Sequence, residues 1–293
     1  MKKILVIGSM SVDLTIETNR MPEQGETIKA DFLELFCGGK GANQAVAIAR
    51  LGGAVDILGC VGQDAHGEMV VENLRENQVD TEMISMSSSA LTGTAHIFLI
   101  NHDNRIVVVP GANNEVTPEF VEEKLTKPLS AYGMVILQNE IPNETIHFIV
   151  KHCKEEDVPV LYNPAPADKT ARALMDDLTF LTPNENECKQ IFPQLTITEA
   201  VEKFPNQLVV TLGSEGVIFH DGQTIRQIPA YKVKAIDTTG AGDTFNGAFA
   251  LEIIRRKSIA EAIQLANKAA AISVTKKGAQ GGMPTEKEMK QFD

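Results

Sequence analysis

Residues 3–8 (KILVIG) form a short apolar run that ends in glycine, and runs of the same kind recur at 54–59, 134–137, 158–161, 178–181 and 208–212. Apolar runs this short, bounded by turn residues, suit strands buried on both faces. Between the later runs the apolar spacing changes to that of helices, near 143–154, 169–175, 185–192 and 197–204. Strands alternating with helices predict an α/β fold with a parallel sheet covered on both faces. Further helices are expected at 42–51, 66–77 and 244–256, with an alanine-rich one at 259–276 and a short last one at 286–292. Two regions break this rhythm. Segments 14–17 and 26–30 flank Pro22 and Gly25, and segments 96–100 and 105–109 alternate around a turn at 101–104. Both read as short strands, and together they predict a small separate sheet.

Polar residues follow the ends of the buried runs: Ser9, Ser11 and Asp13; Gln138, Asn139 and Glu140; Asn163; Asn184 to Glu187; Gly213 to Gly216. Each alone suits a turn or a cap. Their recurrence along one rim of a parallel sheet points to a ligand crevice.

The chain has 293 residues, enough for one large α/β domain or two small ones, with 43% apolar and 23% charged residues. A net charge of −12 argues against a nucleic-acid footprint. No apolar run approaches the roughly 20 residues of a membrane span, and residues 4–7 are too short for a signal-peptide core. A cytoplasmic enzyme without membrane or nucleic-acid partners is expected. Cys37, Cys60, Cys153 and Cys188 have no C-x-x-C spacing and read as reduced thiols, and the histidines show no metal spacing.

Two glycine motifs carry the chemistry. In Asp237-Thr238-Thr239-Gly240-Ala241-Gly242-Asp243-Thr244, the glycines leave successive N–H groups free to point at one anion, above a helix N-terminus. Asp243 stands where that positive end begins, ionised and able to take a proton from a hydroxyl. An anion cradle beside a base suits phosphoryl transfer to an alcohol. The same residues also read as an ordinary helix start with Asp243 or Thr239 as cap. In Gly38-Gly39-Lys40-Gly41-Ala42-Asn43-Gln44-Ala45, three glycines lead into a helix and Lys40 and Asn43 add donors. A close-packed helix start reads equally from those residues. Gly41 follows Lys40 where a Walker A loop needs Ser or Thr, and neither motif matches G-x-G-x-x-G. Asp13 suits a sugar hydroxyl, or a turn.

Taken together, GSMSVD (8–13), GGKGANQA (38–45), NPAP (163–166), PNENE (183–187), TLGSEG (211–216), DTTGAGDTFNGAF (237–249) and TKKGAQ (275–280) resemble the PfkB carbohydrate kinases, and the ribokinase branch of that family in particular. The likeness spans essentially the whole chain. It implies a doubly wound α/β domain over 1–293, with lid segments near 14–36 and 92–109 inserted over the sugar. It implies ATP-dependent phosphorylation of D-ribose at the 5-hydroxyl. Asp243 would be the general base, and the Gly240, Ala241, Gly242 and Asp243 backbone the anion hole. Ser11, Val12, Asp13, Gly39, Lys40, Gly41, Ala42, Asn43 and Glu140 would face the sugar. Asn184, Glu187, Thr211, Leu212, Gly213, Ser214, Glu215, Gly216 and Asn267 would line the nucleotide, with magnesium on its phosphates. A potassium site would use Asp237 and Thr239, with mainly main-chain groups around Ser273, Lys276, Gly278 and Gly282. Members of that branch commonly carry asparagine where this chain has Ser11. Serine lacks the amide donor, which leaves the kinase reading intact and bears on the sugar.

Other readings are a kinase for 2-deoxyribose, fructose or a nucleoside, a catalytically silent sugar- or nucleotide-binding module, and a dinucleotide-dependent oxidoreductase. The last lacks its fingerprint. The lid segments would leave open sheet edges and an uncovered face, so a homodimer pairing two lids is expected.

Overall fold

The computed structural model describes residues 2–100 and 103–292. Of the turn expected at 101–104, Asn101 and His102 lie outside these residues. In chain order the elements are β1 (Ile4–Ile7), β2 (Ser11–Glu17), β3 (Phe32–Gly38), α1 (Lys40–Arg50), β4 (Val55–Gly62), α2 (Ala65–Glu76), β5 (Asp80–Ser87), β6 (Gly93–Ile100) and β7 (Asp103–Val109). There follow α3 (Pro118–Lys124), β8 (Met134–Gln138), α4 (Asn143–Glu155), β9 (Val160–Asn163), β10 (Phe180–Leu181), α5 (Glu185–Ile191), α6 (Ile197–Lys203) and β11 (Val209–Thr211). The last are β12 (Val217–His220), β13 (Ile225–Ile228), α7 (Ala241–Ile254), α8 (Ile259–Ser273) and α9 (Glu286–Gln291).

The central sheet has six strands in the order β10-β9-β8-β1-β4-β5, all parallel. Alternate residues of each buried strand feed opposite cores. Ile4, Val6, Met134, Ile136 and Leu161 pack with α1, α7 and α8 on one face, while Leu5, Ile7, Val135, Leu137, Val160 and Tyr162 pack with α4 and α6 on the other. This is why the runs read as continuously apolar. A three-stranded antiparallel sheet, β11-β12-β13, continues from β10 through a parallel bridge between Leu181 and Leu208. Strand order reverses about β1, whose neighbours are β8 and β4. A crevice therefore opens beyond its carboxyl end.

From β1 the chain crosses Gly8, Ser9 and Met10 into a second sheet of four strands, β3-β2-β6-β7. β2 pairs antiparallel with β3 and parallel with β6, and β6 pairs antiparallel with β7. The strand expected at 26–30 is not there. Its place belongs to β3, where Phe32, Glu34 and Phe36 alternate with Leu33, Leu35 and Cys37. Apolar residues on both faces of β3 hide the period-two signal. Segment 18–31 is instead a loop tied at its base by Thr18 N–H to the Leu99 carbonyl (3.1 Å) and Asp31 N–H to the Glu17 carbonyl (2.8 Å).

Three further differences bear on the site. α7 begins at Ala241 rather than 244, so Gly242 and Asp243 lie in its first turn. The segment expected as a helix at 169–175 is a 3-10 helix, Lys169–Asp177, and α8 stops at Ser273. α1 and α7 touch backbone to backbone at Gly247. A Cβ there would lie 2.8 Å from the Gln44 carbonyl oxygen and 2.8 Å from the Ala47 Cβ. That contact brings the first turn of α1 against the first turn of α7.

Candidate active site

Asp243 is 6% exposed and ringed by amides. Its Oδ2 accepts from Asn43 Nδ2 at 2.9 Å and its Oδ1 from Gln44 Nε2 at 3.0 Å. Both donors come from α1, delivered by the close approach at Gly247. Burial pushes the Asp243 carboxyl up, while Lys40 and the two amides favour its ionised form and Glu140 opposes it. Burial alone would lower the Lys40 ammonium, but Asp243, Glu140, Glu187 and Asp13 around it raise it.

The start of α7 leaves main-chain donors open. Gly240 caps the helix with a left-handed φ of 75°, a conformation glycine adopts without strain. A Cβ at Gly242 would meet nothing within 4 Å, so its backbone faces open space. The Ala241 N–H donates to the Thr238 carbonyl at 3.3 Å. Among the described residues, neither the Gly242 nor the Asp243 N–H donates to a carbonyl ahead of the helix, and no side chain caps it. Two free donors at a helix N-terminus suit a phosphate.

The residues expected to face the sugar gather beyond β1. Ser9 Oγ donates to Glu140 Oε2 at 2.5 Å, and the Lys40 N–H donates to the same oxygen at 3.0 Å. Asp13 lies on β2 facing the same space. Burial, then Glu140 and Asp243, push its carboxyl up to about 6. Gly39 caps α1, and Gly41 and Asn43 lie in its first turn. Val12 and Ala42 do not join the site through their side chains, which are fully buried in the apolar core and leave only main chain to a ligand. A cavity of about 550 Å³ lies between Asp13, Thr15 and Phe36 on the four-stranded sheet and the loops carrying Asp237, Thr239 and Gly278.

The residues expected to line the nucleotide follow β10 and β11. Asn184 and Glu187 form a reciprocal cap of α5, Asn184 N–H to Glu187 Oε2 at 2.7 Å and Glu187 N–H to Asn184 Oδ1 at 2.8 Å. Asn184 bridges to Thr211. Leu212 to Gly216 closes on itself, with Leu212 N–H donating to the Gly216 carbonyl at 2.7 Å. Asn267, on α8, donates to the Ile228 and Pro229 carbonyls, both at 3.2 Å, and so holds the end of β13.

Around the expected cation site, Asp237 Oδ1 accepts from the Thr239 N–H at 2.9 Å and its Oδ2 from the Gly278 N–H at 2.8 Å. The Lys276 ammonium turns away to Glu288 at 2.9 Å, leaving its main chain. A Cβ at Gly282 would come within 1.8 Å of the Ser273 carbonyl oxygen. Ser273 is 2% exposed.

Several polar residues central to this geometry escaped the sequence reading. Gln44 and Gln280 enter it only inside motifs, and Ser9, Gln138 and Asn163 only as members of a polar rim. The available signal was Gln44, a polar residue among the alanines of α1; it is wholly buried.

The chain matches the model of the pfkB family carbohydrate kinases over residues 1–286. It is 52% identical over 291 residues to the ribokinase of Lactococcus lactis subsp. lactis, covering 99% of this chain and 96% of that protein. It is 44% identical over 292 residues to the ribokinase of Bacillus subtilis, covering 100% and 99%. The structure of Arabidopsis thaliana ribokinase complexed with ribose and ATP superposes with a TM-score of 0.89 at 32% identity, covering 99% of this chain and 98% of that one. Matched along nearly its whole length in sequence and in fold, the chain belongs to the pfkB family of carbohydrate kinases.

Proposed function

We propose that the chain transfers the γ-phosphoryl group of ATP to the 5-hydroxyl of D-ribose, giving ADP and ribose 5-phosphate. The observation that carries the reading is Asp243: a buried carboxylate in the first turn of α7, both oxygens held by amide N–H groups, beside two unengaged helix N–H donors. The sugar oxygen attacks the γ-phosphorus, the bond to the β,γ-bridging oxygen breaks, and Asp243 takes the hydroxyl proton. The Gly240 to Asp243 backbone faces the charge on the transferring group. Asp13, Glu140, Asn43 and the Gly39 to Ala42 backbone hold the sugar. Asn184, Asn267 and the Thr211 to Gly216 loop shape the nucleotide site.

The implied ions fit these residues. No group of three or more His, Cys, Asp or Glu among the described residues forms a cage for a metal. That suits magnesium carried by nucleotide phosphates and water, with Glu187 nearby. Asp237, Thr239 and the carbonyls of Ser273, Lys276, Gly278 and Gly282 offer oxygen donors only, and side-chain-free Gly282 lets backbone crowd the Ser273 carbonyl. A potassium ion bound there would bias the Gly240 to Gly242 loop toward its anion-binding shape.

The reading extends to a homodimer joined through the four-stranded sheet, which serves as the lid. Its register sets Leu14, Ile16, Leu33, Leu35, Val107 and Val109 on one face. Leu33 is 54% and Val107 57% exposed, an apolar face that a second copy would cover. Sedimentation as a monomer only, at micromolar concentration, would count against this. A cytoplasmic setting agrees with four free cysteines. No helix among the described residues is long and apolar enough to cross a membrane.

The test is ADP release with ATP and magnesium across ribose, 2-deoxyribose, fructose and adenosine, in potassium and then sodium buffer. Turnover should be highest with ribose and raised by potassium. Asp243→Asn should lower kcat by about 10²- to 10⁴-fold with nucleotide affinity retained. Near wild-type turnover in that variant overturns the assigned base. Highest activity on another sugar reassigns the pocket around Ser11 and Asp13.

A further inference from the structure

Asp243 is surrounded by primary amides, and an amide has two chemically opposite ends. Its NH2 donates to a carboxylate; its oxygen repels one. Which end faces Asp243 is decided further out. The Thr182 main-chain carbonyl can only accept, and Asn163 Nδ2 donates to it at 3.0 Å. That turns Asn163 Oδ1 toward Gln44, whose Nε2 donates to it at 3.1 Å. The second hydrogen of the same Nε2 goes to Asp243 Oδ1 at 3.0 Å. At its other end Gln44 Oε1 accepts from Gln138 Nε2 at 2.9 Å. Reversing Gln44 would set its oxygen against two acceptors and its NH2 against another NH2. Gln138 makes this bond although its own Oε1 is buried with no partner, the one such side-chain atom among the described residues. Reversing Gln138 would face oxygen to oxygen at Gln44.

Asn43 is oriented by a separate arm. Arg50 Nε donates to Asn77 Oδ1 at 2.7 Å, and Asn73 Nδ2 donates to Gln280 Oε1 at 2.7 Å. Asn77 Nδ2 joins the two, donating to the Asn73 main-chain carbonyl at 2.8 Å and facing Asn73 Oδ1 at 3.4 Å, which leaves Asn73 Nδ2 for Gln280. Gln280 Nε2 then donates to Asn43 Oδ1 at 2.9 Å, leaving Asn43 Nδ2 for Asp243. The Gln44 arm is thus independent of the residue expected to touch the sugar.

We infer that Gln44 is a positioning residue for the transfer step: anchored by Asn163 and Gln138, it presents only an N–H to Oδ1 of Asp243, fixing the carboxylate's rotation and holding it as an acceptor. This rests on the reading of Asp243 as the base. Gln44 itself is wholly buried and offers no exposed surface to a ligand. The charged groups facing Asp243 are Lys40 at the start of α1, Glu140 after β8, Asp13 on β2 and Glu187 on α5. All remain in the variants below.

The experiment is kcat and KM for ribose and ATP from pH 5 to 9 in the wild type, Gln44→Glu and Gln44→Met, with Asp243→Asn as reference. Gln44→Glu sets a second carboxyl about 3 Å from Oδ1, so the pair shares a proton and the acid limb of kcat moves up by about one pH unit or more. At pH values below the wild-type limb its kcat should fall about tenfold and recover as pH rises, with both KM values within threefold. Gln44→Met keeps the length without the donor, and its limb should move the same way by less. If Gln44→Glu does not fold, Gln44→Met carries the test alone. A kcat limb at the wild-type pH in the folded variant, or a loss confined to KM, overturns the role of Gln44. Near wild-type turnover in Asp243→Asn overturns the base assignment instead, so the two failures are distinguishable.

Discussion

The contact between α1 and α7 at Gly247 makes a distant methyl group a probe of the site. In Gly247→Ala the new Cβ would lie 2.8 Å from the Gln44 carbonyl oxygen, where ordinary contact begins near 3.4 Å. The helices must part by the difference, about 0.6 Å. Overpacking of this kind costs about 1–3 kcal/mol. Unfolding entropy near 2.1 cal/mol/K per residue over 293 residues is about 0.6 kcal/mol/K, so the melting temperature should fall by about 2–5 °C. The displacement acts on Gln44 itself, and Asp243 lies one turn before Gly247 on the same face of α7. The bonds of 2.9 and 3.0 Å that hold Asp243 lengthen with it. A misplacement of 1 Å costs about 10²-fold in rate, so roughly half of that should lower kcat about tenfold. The assay pairs a thermal melt with ADP release at saturating ribose and ATP. A lowered melting temperature with kcat within twofold of wild type would refute the coupling between helix packing and the base. An unchanged melting temperature would refute the overpacking itself.

Two further outcomes follow from the sugar side. Asp13 is raised to about 6 from 3.8, so the folded state binds its proton more tightly than the unfolded chain does. Its burial therefore opposes folding above pH 6, and that opposition is relieved as pH falls toward 4. As an acceptor for a sugar hydroxyl it fails over the same range, and KM for ribose should rise about tenfold from pH 7 to pH 5; Asp13→Asn should give a KM flat across it. Ser9→Ala removes one of the two bonds to Glu140 Oε2, a charge-assisted bond worth about 1.5–3 kcal/mol. KM for ribose should rise about tenfold with kcat changed less, read from initial rates, and an unchanged KM would mean that the Lys40 N–H holds Glu140 alone.

The central sheet was legible because burial on both faces writes itself as continuous apolar runs. Ile4 to Ile7 needs no polar residue, since its alternate side chains enter two different cores. Elements with an exposed face or an open edge were not legible in this way. β5 (DTEMISMS) at the sheet edge mixes polar and apolar residues. β3 presents apolar side chains to both sides, so its strand was expected several residues early. The sequence sets the start of α7 at 244 because glycines read as a turn. Gly240 does make the turn, as the left-handed cap, but Gly242 is already helical, and a Cβ there would meet nothing within 4 Å.

The candidate site shows a sharper division. Of its charged members, Asp243 is legible because a carboxylate beside glycines at a helix start has few roles, whereas Asp13 and Glu140 read only as polar residues past strand ends until the family resemblance sets them at the sugar. The amides that orient them are not legible, because Asn and Gln are ordinary at turns and on helices and only their partners give them meaning. Asn43 and Asp243 stand 200 residues apart, and Gln44 and Asn163 stand 119 apart. No spacing along the chain encodes such a pair. What encodes it is polarity out of place: Gln44 follows Asn43 in a helix that is otherwise glycine, alanine, valine and isoleucine at its buried positions. An apolar residue there would pack as well and would leave Asp243 Oδ1 without a donor. A buried amide on an apolar helix face therefore implies an acceptor opposite it, and in a family kinase the acceptor most in need of orientation is the base.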